Sequence, residues 1–302
     1  VSSSASPAPW SPLEGAQALE SGLYVVSTPI GNLRDITLRA LDVLHSADIL
    51  YAEDTRVTAR LLQAHGIKTR VASYHDHNAA EVRPAVLARL AAGERVALVS
   101  DAGTPLVSDP GFKLVEAVLA AGYRVVPIPG ASAVLAGLVM AGLPSDRFLF
   151  AGFLPAKSGA RRTALAEVAG VPATLVFYET GPRLAESLAD MAEMLGPRPA
   201  AVARELTKLF EECRRGELGA LAASYADAPP KGEIVVLVGP PLPVSTAETA
   251  ARLDQLLTKA LATLSVRAAS LQVAAALGLP RREVYNRALV LKGEPPDPEG
   301  GP

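Results

Sequence analysis

The sequence has 302 residues, 49% of them hydrophobic, and a formal net charge of −2, enough apolar material for one large core or two smaller ones. So even a balance gives no long-range attraction to nucleic acid, and an RNA partner has to be met by a local basic surface. The lone Cys213 excludes an internal disulfide and a Cys-x-x-Cys zinc site, and it reads as a half-buried strand thiol in a reducing, cytoplasmic setting. No apolar run reaches the roughly 18 residues of a membrane span, so no membrane partner is expected.

The first twenty residues, VSSSASPAPWSPLEGAQALE, lack the charge and the hydrophobic stretch of a secretory signal and read as a disordered tail. From Leu23 onward, short Val/Ile/Leu runs (LYVVS, DILYAE, TRVASY, RVALVS, YRVVPI) alternate with segments of helical period. That alternation predicts α/β architecture with a largely parallel sheet, whose active groups lie in loops at the carboxyl ends of strands. After the turn-rich AGLPSD a second cycle follows, with FLFAGFL, ATLVFYE, AAVARELT, a short FEECRRG strand and EIVVLVG separated by helices. Its shorter, hairpin-like strands predict a mixed sheet. The stretch PPLPVSTAE reads as a Pro-rich linker with a Ser/Thr cap for the next helix. Three helices of about a dozen residues follow, and residues 252–292 hold seven Lys or Arg against two acids. A solvated helical surface and an RNA-contacting one both account for that charge. The expected divisions are a tail at 1–20, an α/β domain at 21–140, a second at 141–241, and a linker with a small helical extension at 242–302.

The motifs exclude more than they assign. No two glycines stand two apart, and no Gly-Lys-Ser/Thr occurs, so dinucleotide-binding Rossmann turns and P-loops are missing. Gly-x-Ser-x-Gly and His-Glu-x-x-His are absent too. What remains are four polar strand-end loops: STPIGN (27–32), AEDTR (52–56) with YHDHN (74–78), VSDAGTP (99–105) and PIPGASA (127–133). Each alone is ordinary turn chemistry. Together, on one edge of a parallel sheet, they mark a ligand site.

TPIGN, AEDTR, HDHN, SDAGTPLVSDPG, PGASA, GLPSDRF, GFLP followed by Lys157, FYE, ARELTK and KGE stand in this order, and over residues 22 to about 240 the sequence resembles the ribosomal branch of the tetrapyrrole methylase superfamily. The resemblance implies an enzyme dependent on S-adenosyl-L-methionine that methylates the ribose 2′-oxygen of a cytidine in small-subunit (16S) ribosomal RNA. It implies two α/β domains with the methyl donor in the cleft between them, commonly a homodimer, acting on the RNA in the assembled subunit. It places Pro29, Ser132 and Ala133 on the donor from the first domain, and Tyr178, Leu206 and Gly232 from the second. The superfamily's Gly-Asp-Pro turn appears here as Gly103-Thr104-Pro105.

The residues fit such a donor. Ala102 and Gly103 allow close main-chain approach, Asp101 can accept from a hydroxyl or ammonium, and Leu106 or Val107 can pack on an adenine. Methyl transfer to a ribose oxygen is an in-line displacement helped by positioning and by a base or cation at the hydroxyl. Glu53, Asp54, His75, His77, Arg204, Glu205 and Lys208 are eligible, with Glu53, His75 and Lys208 the catalytic candidates. Glu53 and Asp54 equally suit the cap of the helix starting near Thr55, and Ser108 or Asp109 the cap of the one starting near Pro110. Arg56, Arg204, Arg281, Arg282 and Arg287 are the candidate RNA contacts; Arg161 and Arg162 fit a solvated face or a binding surface. No metal is expected, because no motif supplies a third ligand beside the two histidines. Two other readings stay open: a tetrapyrrole-precursor C-methyltransferase, and a non-catalytic RNA-binding factor of ribosome assembly.

Overall fold

A computed structural model of the chain describes residues 10–11, 19–107, 111–226, 229–242 and 246–295, which form two compact units, 1–241 and 242–302. In the first unit, β1 (Gly22–Val26), β2 (Ile49–Ala52), β3 (Val71–Ser73), β4 (Arg95–Val99) and β5 (Val125–Ile128) form a sheet in the order β3-β2-β4-β1-β5, parallel throughout. Its strands read as near-continuous apolar runs because both faces are covered. Tyr24, Val26, Leu50, Ala52, Ala97 and Val99 face α1 (Leu38–Ser46) and α2 (Thr55–Ala64). Leu23, Ile49, Val96 and Leu98 face α3 (Ala79–Ala91) and α4 (Phe112–Ala120). Side-chain caps set two of these starts: Thr37 accepts from the Ala40 amide at 3.1 Å and Asp54 from the Arg56 amide at 2.8 Å. The cap expected at Ser108 or Asp109 lies outside the described residues.

The tail expected to be disordered falls mostly outside the described residues, but where it is described it is tied down. Trp10 donates from Nε1 to Asp42 Oδ1 at 3.1 Å, Glu20 pairs with Arg124, and Trp10 and Leu19 pack on the first core. An indole and an isobutyl group with apolar surface within reach gain more by burial than the polar composition around them suggests.

The next helix, α5 (Ala133–Ala141), is apolar at every position of AVLAGLVMA. It buries Val134, Leu138 and Ala141 against Val176, Ala201, Ala203, Val235 and Leu237 of the second sheet. A Cβ on Gly137 would stand 3.2 Å from Val235 Cγ1, so the bare glycine lets the helix lie close on the strand beneath. The division expected at 140/141 therefore falls inside the last turn of a helix whose core belongs to the second sheet. That sheet comprises β6 (Phe148–Phe153), β7 (Thr174–Thr180), β8 (Pro199–Arg204), β9 (Glu212–Glu217) and β10 (Glu233–Val238), in the order β6-β7-β10-β8-β9. Only β6 and β7 pair in parallel, which makes the sheet mixed, as its hairpin-like pattern predicts.

Leu165, Leu184, Leu188, Met191, Leu218 and Leu221 of α6 (Ser158–Val168), α7 (Gly181–Leu195) and α8 (Leu218–Ser224) cover its other face. There Arg161, 1% exposed, donates to Asp190 at 2.6 Å, and Arg162 reaches the same carboxylate at 2.8 Å. Burial alone would raise the Asp190 pKa; Arg162, Arg161 and Ser158 outweigh it and hold the carboxyl below its usual range. Both arginines are thus committed to a structural ion pair.

The second unit is three helices, α9 (Thr246–Leu261), α10 (Val266–Leu277) and α11 (Arg281–Leu291), around Leu253, Leu257, Val273, Ala274, Val284 and Ala288. Ser265 caps α10, accepting from the Ala268 amide at 3.3 Å, and Gly278 ends it in the left-handed region at φ 65°. The cap expected in PPLPVSTAE lies at the edge of residues 243–245, outside the described residues.

Candidate active site

The two connections that leave β1 and β4 cross to opposite faces of the first sheet, α1 on one and α4 on the other. The carboxyl ends of these neighbouring strands therefore form a switch point, the place where open α/β sheets bind ligands. The two loops are stitched together across it. Thr28 and Gly103 exchange backbone hydrogen bonds at 2.8 and 3.1 Å, Thr28 Oγ1 donates to Ser100 O at 3.1 Å, and the hydroxyls of Ser27 and Thr104 meet at 3.0 Å. Gly103 adopts φ 80°, and a Cβ there would lie 3.3 Å from Ile30 Cγ2. Only glycine meets both demands at once.

The facing wall comes from the second sheet. Tyr178, Glu179 and Thr180 end β7, and Val235, Ile234 and Glu233 lie opposite them on β10. Between the walls is a cavity of about 270 Å³, lined by Ile30, Ala102, Gly103, Thr104, Val107, Ser132, Ala133, Phe153, Tyr178–Thr180, Leu206 and residues 232–235. Eight of the donor candidates, Ala102, Gly103, Val107, Ser132, Ala133, Tyr178, Leu206 and Gly232, lie on this wall. Of Leu106 and Val107 it is Val107 that lines it; Leu106 turns, at φ 73°, into the core beside Leu98.

Two donor candidates lie elsewhere. Asp101 Oδ1 accepts the Asp54 amide at 2.9 Å, which pins the β4 loop to the β2 loop and keeps this carboxylate off the cavity wall. Pro29 is buried, and Ile30, the next residue, lines the cavity in its place.

The turn carrying Leu206 is strained and overdetermined. Glu205 and Thr207, on either side of it, have φ values of 52° and 66°, each a cost of about 1–3 kcal/mol for a side-chain-bearing residue. Glu205 Oε1 accepts from Lys208 Nζ at 3.0 Å and from the Glu233 amide at 3.1 Å, while Thr207 Oγ1 accepts from the Asn32 amide at 3.0 Å. A Cβ on Gly31 would come within 2.5 Å of Lys208 Cγ and 3.1 Å of Leu206 O, so the TPIGN loop presses directly on this turn. Gly232, at φ 101°, makes room for the Glu205 carboxylate, which a Cβ would meet at 2.3 Å.

The charged candidates divide sharply. Lys208 bridges Glu205 and Glu233 at 3.0 and 2.9 Å. Burial works to lower its pKa, but the two carboxylates prevail and hold it above the ordinary lysine value. It is a fixed cation and cannot serve as a base. Arg204 is engaged by Glu212 at 3.1 Å and Arg287 by Asp254 at 2.5 Å, so both have internal work to do rather than a free guanidinium for phosphate. Arg56 grips Asp54 at 2.6 Å, and the hydrogen bonds it gives pull that carboxyl down to about 2. Arg281 and Arg282 open α11 in the second unit.

Glu53 is different. Its pKa is raised, first by burial and then by the charges of Asp101 and Asp76, with His75 acting in the opposite sense. His75 Nδ1 is buried without a hydrogen-bond partner among the described residues, and its ring packs edge-on to His77 at 6.0 Å.

Ile30, Thr104, Phe153, Glu179, Thr180, Glu233, Ile234 and Val235 also lie on the cavity wall, though the sequence singled out none of them as a donor contact by itself. Several lie within or beside FYE and KGE, but their convergence depends on the β7–β10 register, Tyr178 against Val235, which no local pattern encodes.

Residues 22–222 match the family of tetrapyrrole (corrin/porphyrin) methylases, and residues 247–292 match the RsmI C-terminal HTH domain. The chain is 54% identical to a ribosomal RNA small subunit methyltransferase I of Mesorhizobium japonicum, over 95% of this chain and 97% of the relative. It is 48% identical to the protein of that name from Pseudomonas aeruginosa, over 90% and 98%. Among solved structures it is similar in fold to the methyltransferase CobJ (TM-score 0.56, 22% identity, 73% of this chain and 94% of that one). It is likewise similar to a diphthine synthase (TM-score 0.58, 19% identity, 72% and 89%). By its matched residues and its identity to these relatives, the chain belongs to the ribosomal RNA small subunit methyltransferase I family of the tetrapyrrole methylases.

Proposed function

We propose that the chain transfers a methyl group from S-adenosyl-L-methionine to the ribose 2′-oxygen of a cytidine in small-subunit (16S) ribosomal RNA. The observation that carries this reading is the cavity between the two sheets, in a chain more than half identical to a ribosomal RNA small subunit methyltransferase I over nearly its whole length. The cavity suits the donor. Val107, Leu206, Ile234 and Val235 offer apolar surface to a ring, Thr104, Ser132 and Glu233 offer polar groups, and Gly103 and Gly232 present bare main chain. When bound, the donor supplies an electrophilic methyl on a sulfonium. The chain's residues hold and orient it: Leu206 is fixed by its strained turn, and the Thr28–Gly103 bridge holds the two loops of the first sheet in register.

The three-helix unit, with its excess of Lys and Arg, suits the RNA. Arg281 and Arg282 at the start of α11 are its proposed contacts, while the ion pair to Asp254 assigns Arg287 to holding α11 on α9. We place the enzyme in the cytoplasm, acting on the assembled subunit as a homodimer. Exposed Leu135 and Val139, one turn apart on α5, are apolar surface of the kind a second copy covers. No described helix is long and apolar enough to cross a membrane.

The test presents labelled donor with assembled small subunits, naked 16S RNA and a tetrapyrrole precursor. Label recovered as 2′-O-methylcytidine is the expected result; label on the tetrapyrrole alone would replace this reading by carbon methylation.

A further inference from the structure

Resting on the methyl transfer just proposed, a second question concerns which group receives the proton of the acceptor hydroxyl. The strand order puts the loops after β1 and β4 on the donor cavity and the loop after β2 immediately beyond β4, about 5 Å along the same edge. Ala52 pairs with Val99, so Glu53, the next residue, stands beside the Ser100–Asp101 turn from which the cavity wall starts. An acceptor approaching the cavity along this edge meets the β2 loop next.

Several neighbouring charged groups already have work. Asp54 caps α2 and holds Arg56, Asp101 accepts the Asp54 amide, and Lys208 is a cation between two carboxylates. Of the carboxylates left, Asp76 is exposed and Glu53 half-buried; Glu53 accepts no hydrogen bond among the described residues, although a carboxylate has acceptor capacity on both oxygens. The groups that act on it are Asp101 from the β4 loop, Asp76 and His75 from the β3 loop and Asp54 from its own.

We propose that Glu53 is the catalytic base: its carboxylate accepts the proton of the ribose 2′-hydroxyl during methyl transfer, and Asp101 tunes it as a neighbouring charge. In that step the ribose oxygen forms a bond to the methyl carbon while the carbon–sulfur bond breaks with its electron pair left on sulfur. The hydroxyl proton goes to Glu53 and from there to water. The positive charge of the sulfonium and the negative charge of the carboxylate disappear together, so charge balances. Burial and the three neighbouring aspartates make Glu53 a stronger base than an ordinary glutamate, which favours a weakly acidic alcohol as proton donor.

The experiment uses the full chain with assembled small subunits. Glu53→Gln is expected to lower kcat about 10²- to 10⁴-fold, with S-adenosylhomocysteine affinity by calorimetry and the thermal midpoint unchanged, and Glu53→Asp to recover part of the rate. Asp101→Asn keeps an oxygen for the Asp54 amide but removes a charge that raises the Glu53 pKa. The acid limb of the kcat–pH profile should therefore move to lower pH, and the ¹³C-carboxyl titration of Glu53 with it. Wild-type kcat in Glu53→Gln, or an acid limb that stays in place while the Glu53 titration moves, would overturn the assignment alone. A wild-type chain that labels no small-subunit RNA would overturn the methyl-transfer reading and this assignment together.

Discussion

The two sheets of the first unit place polar residues differently: the parallel sheet pairs charge at the starts of its strands, as Asp48 with Arg95, and keeps small polar residues at their ends. The parallel sheet ends its strands in small and turn-forming residues: the Thr28–Gly103 bridge brings main chain to the cavity, and Ala102 and Ser132 line it beside Gly103. The mixed sheet and its helices consume charge internally: Arg161 and Arg162 on Asp190, Arg204 on Glu212, Lys208 on Glu205 and Glu233. A cation near a site is therefore weak evidence of ligand binding until its internal partners are known. Glu53, at a strand end and without a hydrogen bond among the described residues, stands out against both patterns.

The contrast can be broken at its strongest point first. Replacing Asp190 by Asn leaves the buried Arg161 with only the exposed Glu186, at 3.6 Å, as a counter-charge and is expected to cost about 3–5 kcal/mol in denaturant unfolding, with donor affinity unchanged. A smaller cost would mean the pair is incidental. Removing residues 242–302 should weaken RNA binding about tenfold or more and flatten its salt dependence, because phosphate contacts release counterions. Unchanged RNA affinity would return that unit's charge to a solvated surface. Thr207→Val removes the hydroxyl that receives the Asn32 amide; a loss of about 0.5–1.5 kcal/mol in stability is expected, together with weaker donor binding as the Leu206 wall loosens.

The smallest effect is in acid. Hydrogen bonds from Arg95 depress the Asp48 carboxyl from 3.8 to about 2. A depressed carboxyl contributes stability above its ordinary value and loses it as pH falls toward the folded value. Asp48→Asn should therefore flatten the stability curve between about pH 4 and 2, slightly, because the pair is partly exposed.

Much of the fold was legible because a buried parallel sheet leaves near-continuous apolar runs and its loops collect Gly, Pro, Ser and Asp. That signal led to Ala102 and Gly103, and the family resemblance to Ser132 and Ala133, all of which the structure places on the cavity wall. Three things were not local and stayed hidden. The partners of Arg204 and Arg287 lie eight and thirty-three residues away, so their pairing depends on tertiary approach. The allegiance of α5 to the second sheet depends on which sheet its apolar surface meets. Asp101 looked like a ligand contact because it follows the strand directly, but its side chain folds back to the β2 loop.

The central claim is that the cavity between the sheets holds the methyl donor. Calorimetric titration of S-adenosylhomocysteine into the wild-type chain and into Gly103→Val tests it most directly, since a branched side chain at φ 80° would press on Ile30 and enter the cavity. One molecule bound per wild-type chain, with affinity lost about 100-fold or more in a variant whose circular dichroism is unchanged, is the expected result. Equal affinity in both would place the donor elsewhere.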